Sequence, residues 1–218
     1  MMIFYAIMGI CAFLALWVAV LSYRAFPFPE FRAILSVSVA AVFYLVFMWI
    51  AHRAWIFFFP LKEGEIPAGS FQETTWMVYV CFYLMLFYAI LMPHWIPIPM
   101  SGWVLRRLGS KWPVGSYSGG MVYDPSLVEA GVGVLVGAHA MLVPHVQEGE
   151  TLAHYRIRIG DEVTIGGRAI ILPGVTIGAR SVIGIGSVVP KHTRIGEDEI
   201  WAGIPARFIR KRDQKTSS

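Results

Sequence analysis

Charge and cysteine are both scarce in this chain. Of 218 residues only 15% are charged and 56% are hydrophobic, where a soluble domain carries about 25% charged residues. That composition excludes a disordered chain and argues against an ordinary water-soluble globule. The shortage of charge is uneven. Residues 1–100 hold four basic side chains (Arg24, Arg32, Arg53, Lys62) and four acidic ones (Glu30, Glu63, Glu65, Glu73). Residues 101–218 hold 14 Lys+Arg against ten Asp+Glu, and so carry the whole net charge of +4. Cys11 and Cys81 both lie inside apolar runs, which excludes a disulfide framework and a cysteine-based zinc site. The basic excess has no interleaved aromatics, so nucleic acid is not an expected partner and anionic lipid headgroups suit it better.

What the first half has in place of charge is length of apolar chain. Met1–Tyr23 is uncharged, as are Ala33–Ala51 (19 residues) and Trp76–Pro93 (18 residues). About 20 apolar residues cross a hydrocarbon core, so three transmembrane helices are expected. The breakers between them are Phe26-Pro27-Phe28-Pro29 and the stretch from Pro60 to Gly69, while Pro93, Trp95, Pro97, Pro99, Gly102 and Trp103 mark an interfacial exit. A cleaved signal peptide is the competing reading of the first run, opposed by the missing basic n-region. Three spans put Arg24, Arg32, Arg106, Arg107 and Lys111 on one side and only Arg53 and Lys62 on the other. The positive-inside bias then turns the C-terminal half to the cytoplasm of an integral membrane protein, as in a bacterial inner membrane. His52 and Arg53 are expected to snorkel to the interface.

The second half is a repeat. From Ile159 the chain reads IGDEVT, IGGRAI, ILPGVT, IGARSV, IGIGSV, VPKHTR and IGEDEI, seven hexads without an insertion. The first position is always β-branched, and the fifth is small or β-branched until Glu199 breaks it. A looser set, AGVGVL, VGAHAM and LVPHVQ, covers Ala130–Gln147, and Glu148–Arg158 lie out of register between the two. A period of six cannot be an amphipathic helix, whose apolar positions recur at 3.6. It fits short strands joined by tight turns that need Gly, Asn or Asp geometry. Three such sides close a coil of about 18 residues, and stacked coils bury a column of aliphatic side chains.

The blocks IGDEVTIGG (from Ile159), ILPGVTIG (from Ile171), IGIGSVV (from Ile183) and AGIPARFI (from Ala202) resemble the hexapeptide-repeat acyltransferases, a left-handed parallel β-helix family. The expected organisation is a membrane domain of three transmembrane helices over 1–98 and an interfacial linker over 99–121. A left-handed β-helix over 122–212 and a polar tail over 213–218 follow. The resemblance implies a homotrimer and an acyl-CoA co-substrate, acetyl-CoA first among them. It implies no tightly bound cofactor and no metal. The membrane spans resemble those of attached relatives that act on glycan or lipid-linked acceptors.

Acyl transfer to a hydroxyl needs a base, and histidine titrates near working pH. His145 ends the last ordered hexad before the excursion, where the family keeps its general base. His154, inside the excursion, is the second candidate, and Glu148 or Glu150 are candidates to orient the histidine. His139 and His192 take outward positions within hexads and are expected on the surface. By resemblance, Gly166, Gly167 and Ala169 match small residues beside the pantetheine arm, as do Gly184 and Gly186. Ile185 stands where relatives often have alanine, so it either narrows the slot or leans outward. Arg207, Arg210, Lys211 and Arg212 face either the carrier's phosphates or lipid headgroups. Two other classes compete. Metal-dependent hydration, as in γ-carbonic anhydrases, needs three converging histidines, and the six-residue spacing of His139 and His145 puts them on successive faces. A non-catalytic trimeric membrane scaffold needs only the solenoid.

Overall fold

The computed structural model describes residues 1–26, 28–88 and 96–212. The end of the third apolar run, His94, Trp95 and the tail from residue 213 lie outside the described residues. The chain divides into two compact units, Met1–Pro60 with Thr74–Ala89, and Leu61–Glu73 with Ile90–Ser218.

The first unit is helical. Helix α1 (Met2–Ser22) and helix α2 (Arg32–Phe58) each extend through a short 3-10 turn. The resulting stretches, Met2–Ala25 (24 residues) and Pro29–Phe58 (30 residues), are long and apolar enough to cross a membrane. The third run begins as helix α3 (Phe71–Tyr83), which passes into a π-helical segment, Leu84–Tyr88. Phe4, Cys11, Met48, Val78, Phe82 and Leu86 form the unit's own core. Most other large apolar side chains of α1 and α2 point outward, Trp17, Val20 and Phe57 among them. His52 departs from expectation. It does not snorkel: it is fully buried, its ring 5.8 Å from Tyr79 and 5.7 Å from Phe82, because the packed aromatic faces enclose it nearly two turns before the helix end.

The second unit is a three-faced parallel solenoid. The first face stacks Tyr117–Ser118, Leu135–Val136, Thr164–Ile165, Val182–Ile183 and Glu199–Gly203. The second stacks Met121–Val122, Met141–Leu142, Ile170–Ile171 and Val188–Val189. The third stacks Val128–Ala130, Ile157–Ile159, Thr176–Ile177 and Arg194–Ile195. Each hexad contributes one two-residue strand, and its first-position residue points inward. Ile165, Ile171, Ile177 and Ile183 are buried, each worth about 1.5–3 kcal/mol of transfer free energy. The fifth position is the second inward site. Val163, Ala169, Val175, Ser181 and Ser187 fill it, all fully buried. The two serines are accommodated because the next coil satisfies them: Ser181 Oγ donates to the Gly196 carbonyl at 2.7 Å, and Ser187 Oγ accepts from the Gly203 N–H at 3.2 Å.

The turns differ from the sequence expectation. The fourth position of the hexads is the left-handed one, and non-glycine residues take it at Glu162, Arg168, Arg180, His192 and Asp198, with φ between 55° and 61°. Strain of this kind costs on the order of 1 kcal/mol or more per residue, and every rung must offset it. Gly174 and Gly186 supply the same left-handed φ without that cost, and glycine also fills most second positions, where coils touch. A Cβ on Gly166 would lie 2.6 Å from the Ile185 nitrogen.

Two boundaries also move. The solenoid starts at Tyr117, before residue 122, and the residues from 99 to 116 form a cap in place of a linker. A first coil has no coil above it, so helix α4 (Ile98–Arg107) covers the end of the core with Leu105, joined by Trp112. Trp112 Nε1 donates to the Ser116 carbonyl at 3.0 Å, and the Ser118 N–H donates to Ser101 Oγ at 2.9 Å. The far end is closed by Ala206–Lys211, which turns antiparallel onto Glu199–Gly203. Residues 61–73, assigned from sequence to the membrane half, cluster with the solenoid.

Candidate active site

The out-of-register segment is a β-hairpin at the edge between the second and third faces. Strand His145–Glu148 pairs antiparallel with Thr151–His154, and a third strand, Gly64–Ile66, adds on the other side. Gly64, His154 and His145 lie opposite one another in a single row.

His145 keeps 28% of its side chain exposed, while Asp124 keeps 3%. His145 Nδ1 hydrogen-bonds Asp124 Oδ2. A carboxylate only accepts, so the proton in this bond lies on Nδ1, and in the neutral ring Nε2 is then the nitrogen that can take a proton. Asp124 occupies the same prism edge one coil earlier, at φ 41°, a left-handed conformation that aspartate tolerates better than most residues. Its carbonyl accepts the Leu127 N–H at 2.8 Å and so fixes the turn. The Tyr123 ring meets the imidazole edge-on at 6.1 Å. A buried acid orienting a half-exposed imidazole is an arrangement suited to general-base chemistry.

Sequence reasoning missed Asp124. Its column could not be assigned because the hexad register is readable only from Ala130 onward. The residue proposed in its place, Glu148, does not reach His145. It sits at the hairpin tip, exposed, and pairs with Lys191. Glu150 is exposed in the hairpin turn. His154 cannot serve as the solvent-facing base, since it is fully buried. Burial holds its imidazole below the ordinary histidine range despite the nearby Asp124 carboxylate, and a backbone hydrogen bond to Lys62 also faces it. His139 and His192 are exposed turn residues, His192 lying against Tyr155 with ring centroids 4.5 Å apart.

The residues matched to the carrier arm fall on the other side of the second face. Gly166, Gly167, Gly184, Ile185 and Gly186 line the edge between the first and second faces, whereas His145 lies between the second and third. Ile185 leans outward and is 79% exposed. Gly167 lies beneath it: a Cβ there would be 4.0 Å from Ile185 Cδ1 and 3.1 Å from the Ala138 carbonyl. Ala169 is corrected: its side chain is buried in the core, and its N–H and carbonyl are spent on Gly166 and Met141. Gly166 and Gly184 have a structural reason of their own, the close approach of the following coil. In the closing strand Arg207 and Arg210 are exposed, and Lys211 Nζ is engaged by the Glu197 carbonyl at 2.8 Å and by Glu199 at 3.3 Å.

The family model for the hexapeptide repeat of succinyl-transferase matches residues 156–191. Galactoside O-acetyltransferase of Escherichia coli (strain K12) is 40% identical over 88 residues, 40% of this chain and 42% of that protein. Gamma carbonic anhydrase 1, mitochondrial, of Arabidopsis thaliana is 35% identical over 112 residues, 50% of this chain and 40% of that protein. The chain thus spans about two fifths of the length of these curated relatives. A hexapeptide-repeat-containing acetyltransferase of Vibrio cholerae O1 biovar eltor, solved with acetyl coenzyme A, is 33% identical, with 43% of this chain and 54% of that chain covered and a TM-score of 0.39. Among the described residues of one copy, no three His, Cys, Asp or Glu side chains converge as a metal-holding set. The solenoid half of the chain is similar, by the repeat model and by the galactoside O-acetyltransferase, to the hexapeptide-repeat acyltransferases.

Proposed function

We propose that the chain is a membrane-anchored acyltransferase that moves an acyl group, acetyl first, from a coenzyme A thioester to a hydroxyl of a glycan or lipid-linked acceptor. The observation that carries this reading is the Asp124–His145 pair: a buried carboxylate holds a half-exposed imidazole beside a repeat similar to acetyltransferases. His145 Nε2 takes the acceptor's proton as its oxygen attacks the thioester carbonyl. The tetrahedral intermediate collapses, the C–S bond breaks, and the proton on His145 passes to the departing thiolate. Each step conserves atoms and charge, and needs no metal or redox partner. Asp124 stabilises the imidazolium that forms between the two proton transfers.

The same geometry supports a homotrimeric assembly. The glycine-lined edge and the His145 edge flank the second face from opposite sides. One copy cannot turn both edges to one carrier, whereas neighbouring copies can set one edge against the other. Anchoring rests on α1 and α2, whose apolar side chains face outward along two stretches long enough to span. Tethering to a bilayer favours lipid-attached acceptors by effective concentration, and the lysine and arginine distribution supports a cytoplasmic orientation. In a thiol-release assay with acetyl-CoA and a panel of glycosides and amino sugars, His145→Ala should lose roughly a hundredfold or more of the rate. Full activity in that variant overturns the base assignment.

A further inference from the structure

We infer that Arg156 is a positioning residue for the Asp124–His145 pair, locked in place by Glu63. The inference rests on the functional reading above, and deepens it by asking what fixes the distance between acid and base. The two come from different segments, Asp124 from the first coil and His145 from the hairpin that leaves the second. Neither lies in a strand of the three stacked faces. Asp124 precedes the 3-10 turn Pro125–Leu127, and the hairpin interrupts the hexads. The paired rungs Met121–Val122 and Met141–Leu142 bring the two onto one edge, one coil apart, while the turn and the hairpin from which the side chains project lie outside the rungs.

Arg156 joins all the parts. Its Nη1 donates to the Ser126 carbonyl at 3.1 Å, two residues past Asp124, and to Glu129 Oε1 at 3.1 Å. Its Nε donates to Glu63 Oε1 at 2.8 Å, the residue immediately before the third strand of the hairpin sheet. The preceding residue, Tyr155, donates its N–H at 2.8 Å to the carbonyl of Pro144, which directly precedes His145. One guanidinium thus spans the turn of the acid and the strand that backs the base, while its own backbone closes the hairpin. The Arg156 side chain is only 21% exposed, so water replaces these bonds poorly. Burial raises the Glu63 carboxyl, but hydrogen bonds from Arg156 and the charges of Arg156 and Arg158 hold it below the usual carboxylate range. Lysine is no substitute, because an ammonium cannot present the planar fork that reaches three acceptors at once.

The test uses the full chain in detergent, labelled with 15N-histidine. In the wild type, the neutral His145 resonances should show one tautomer, with the proton on Nδ1. In Arg156→Gln they should show a mixture of tautomers, and kcat in the thiol-release assay should fall roughly tenfold or more, with KM for acetyl-CoA changed less than about twofold. Arg156→Lys should recover only part of that loss. A single Nδ1-protonated tautomer with unchanged kcat in Arg156→Gln overturns the inference. Should Arg156→Gln fail to fold, Glu63→Gln keeps the strand and the arginine, and unchanged tautomer and kcat there overturn it equally. The two claims fail separately: a fully active His145→Ala removes the functional reading, while the tautomer in the Arg156 variant still reports on positioning.

Discussion

Replacing Asp124 with asparagine isolates what the carboxylate does for His145. Asparagine is nearly isosteric and tolerates a left-handed φ about as well as aspartate, so the 41° conformation survives. What changes is the hydrogen bond. The amide can offer an N–H to Nδ1, which moves the imidazole proton to Nε2 and leaves no lone pair facing the acceptor. Asp124 is 3% exposed, so solvent cannot restore the missing charge. A general base contributes about 10²–10⁴-fold, or about 2.7–5.4 kcal/mol at 1.36 kcal/mol per decade. The stability cost should be much smaller. Exchanging a charge-assisted bond worth about 1.5–3 kcal/mol for a neutral one of about 0.5–1.5 kcal/mol loses on the order of 1 kcal/mol. Asp124→Asn should therefore fold, bind acetyl-CoA with little change, and lose kcat by two or more orders of magnitude. The thiol-release assay beside a thermal melt reads both numbers. Wild-type kcat in a folded Asp124→Asn protein refutes the reasoning.

Two further outcomes follow from the solenoid and its hairpin. Ile171 is fully buried in the middle of the second face, so Ile171→Ala should cost about 2–5 kcal/mol, measured by chemical denaturation of the full chain; a loss under half a kcal/mol would contradict the packing of the rungs. His154 gives a pH dependence. The unfolded chain protonates it as pH falls through about 6.5, while burial keeps the folded ring neutral to lower pH. The unfolded state then binds more protons, so this stability is present above about pH 6.5 and is lost below it, at up to about 1.4 kcal/mol per pH unit. Melts between pH 7.5 and 5.5 should show the slope, and His154→Gln should flatten it; identical slopes in the two proteins refute the assignment.

The solenoid was legible because its physics is local and repeated. A first-position aliphatic every six residues from Ile159 to Ile195 has one economical solution, and the strands fall where the hexads place them. The turns were misread for a physical reason: glycine at the second position answers to the neighbouring coil's backbone, which no single hexad reveals, while Arg168 and Arg180 accept a left-handed φ because the rungs on both sides hold it. The position of His145 beside the break in register was legible. Its acid was not, since Asp124 meets it across 21 residues through a corner that carries no hexad pattern. Nor were Glu63 and Arg156, which are 93 residues apart and joined only by the folded hairpin. The region 99–121 read as a linker because a cap has no repeat, although Leu105 and Trp112 complete the core.

The account stands on His145 Nε2 facing a thioester between two copies of the solenoid. A cryo-electron microscopy map of the detergent-solubilised full chain with coenzyme A tests this most directly. The map should show the carrier along the glycine-lined edge of one copy with its sulfur within about 3–4 Å of His145 Nε2 of a neighbouring copy. A single unassembled copy, or a carrier bound away from His145, would contradict it.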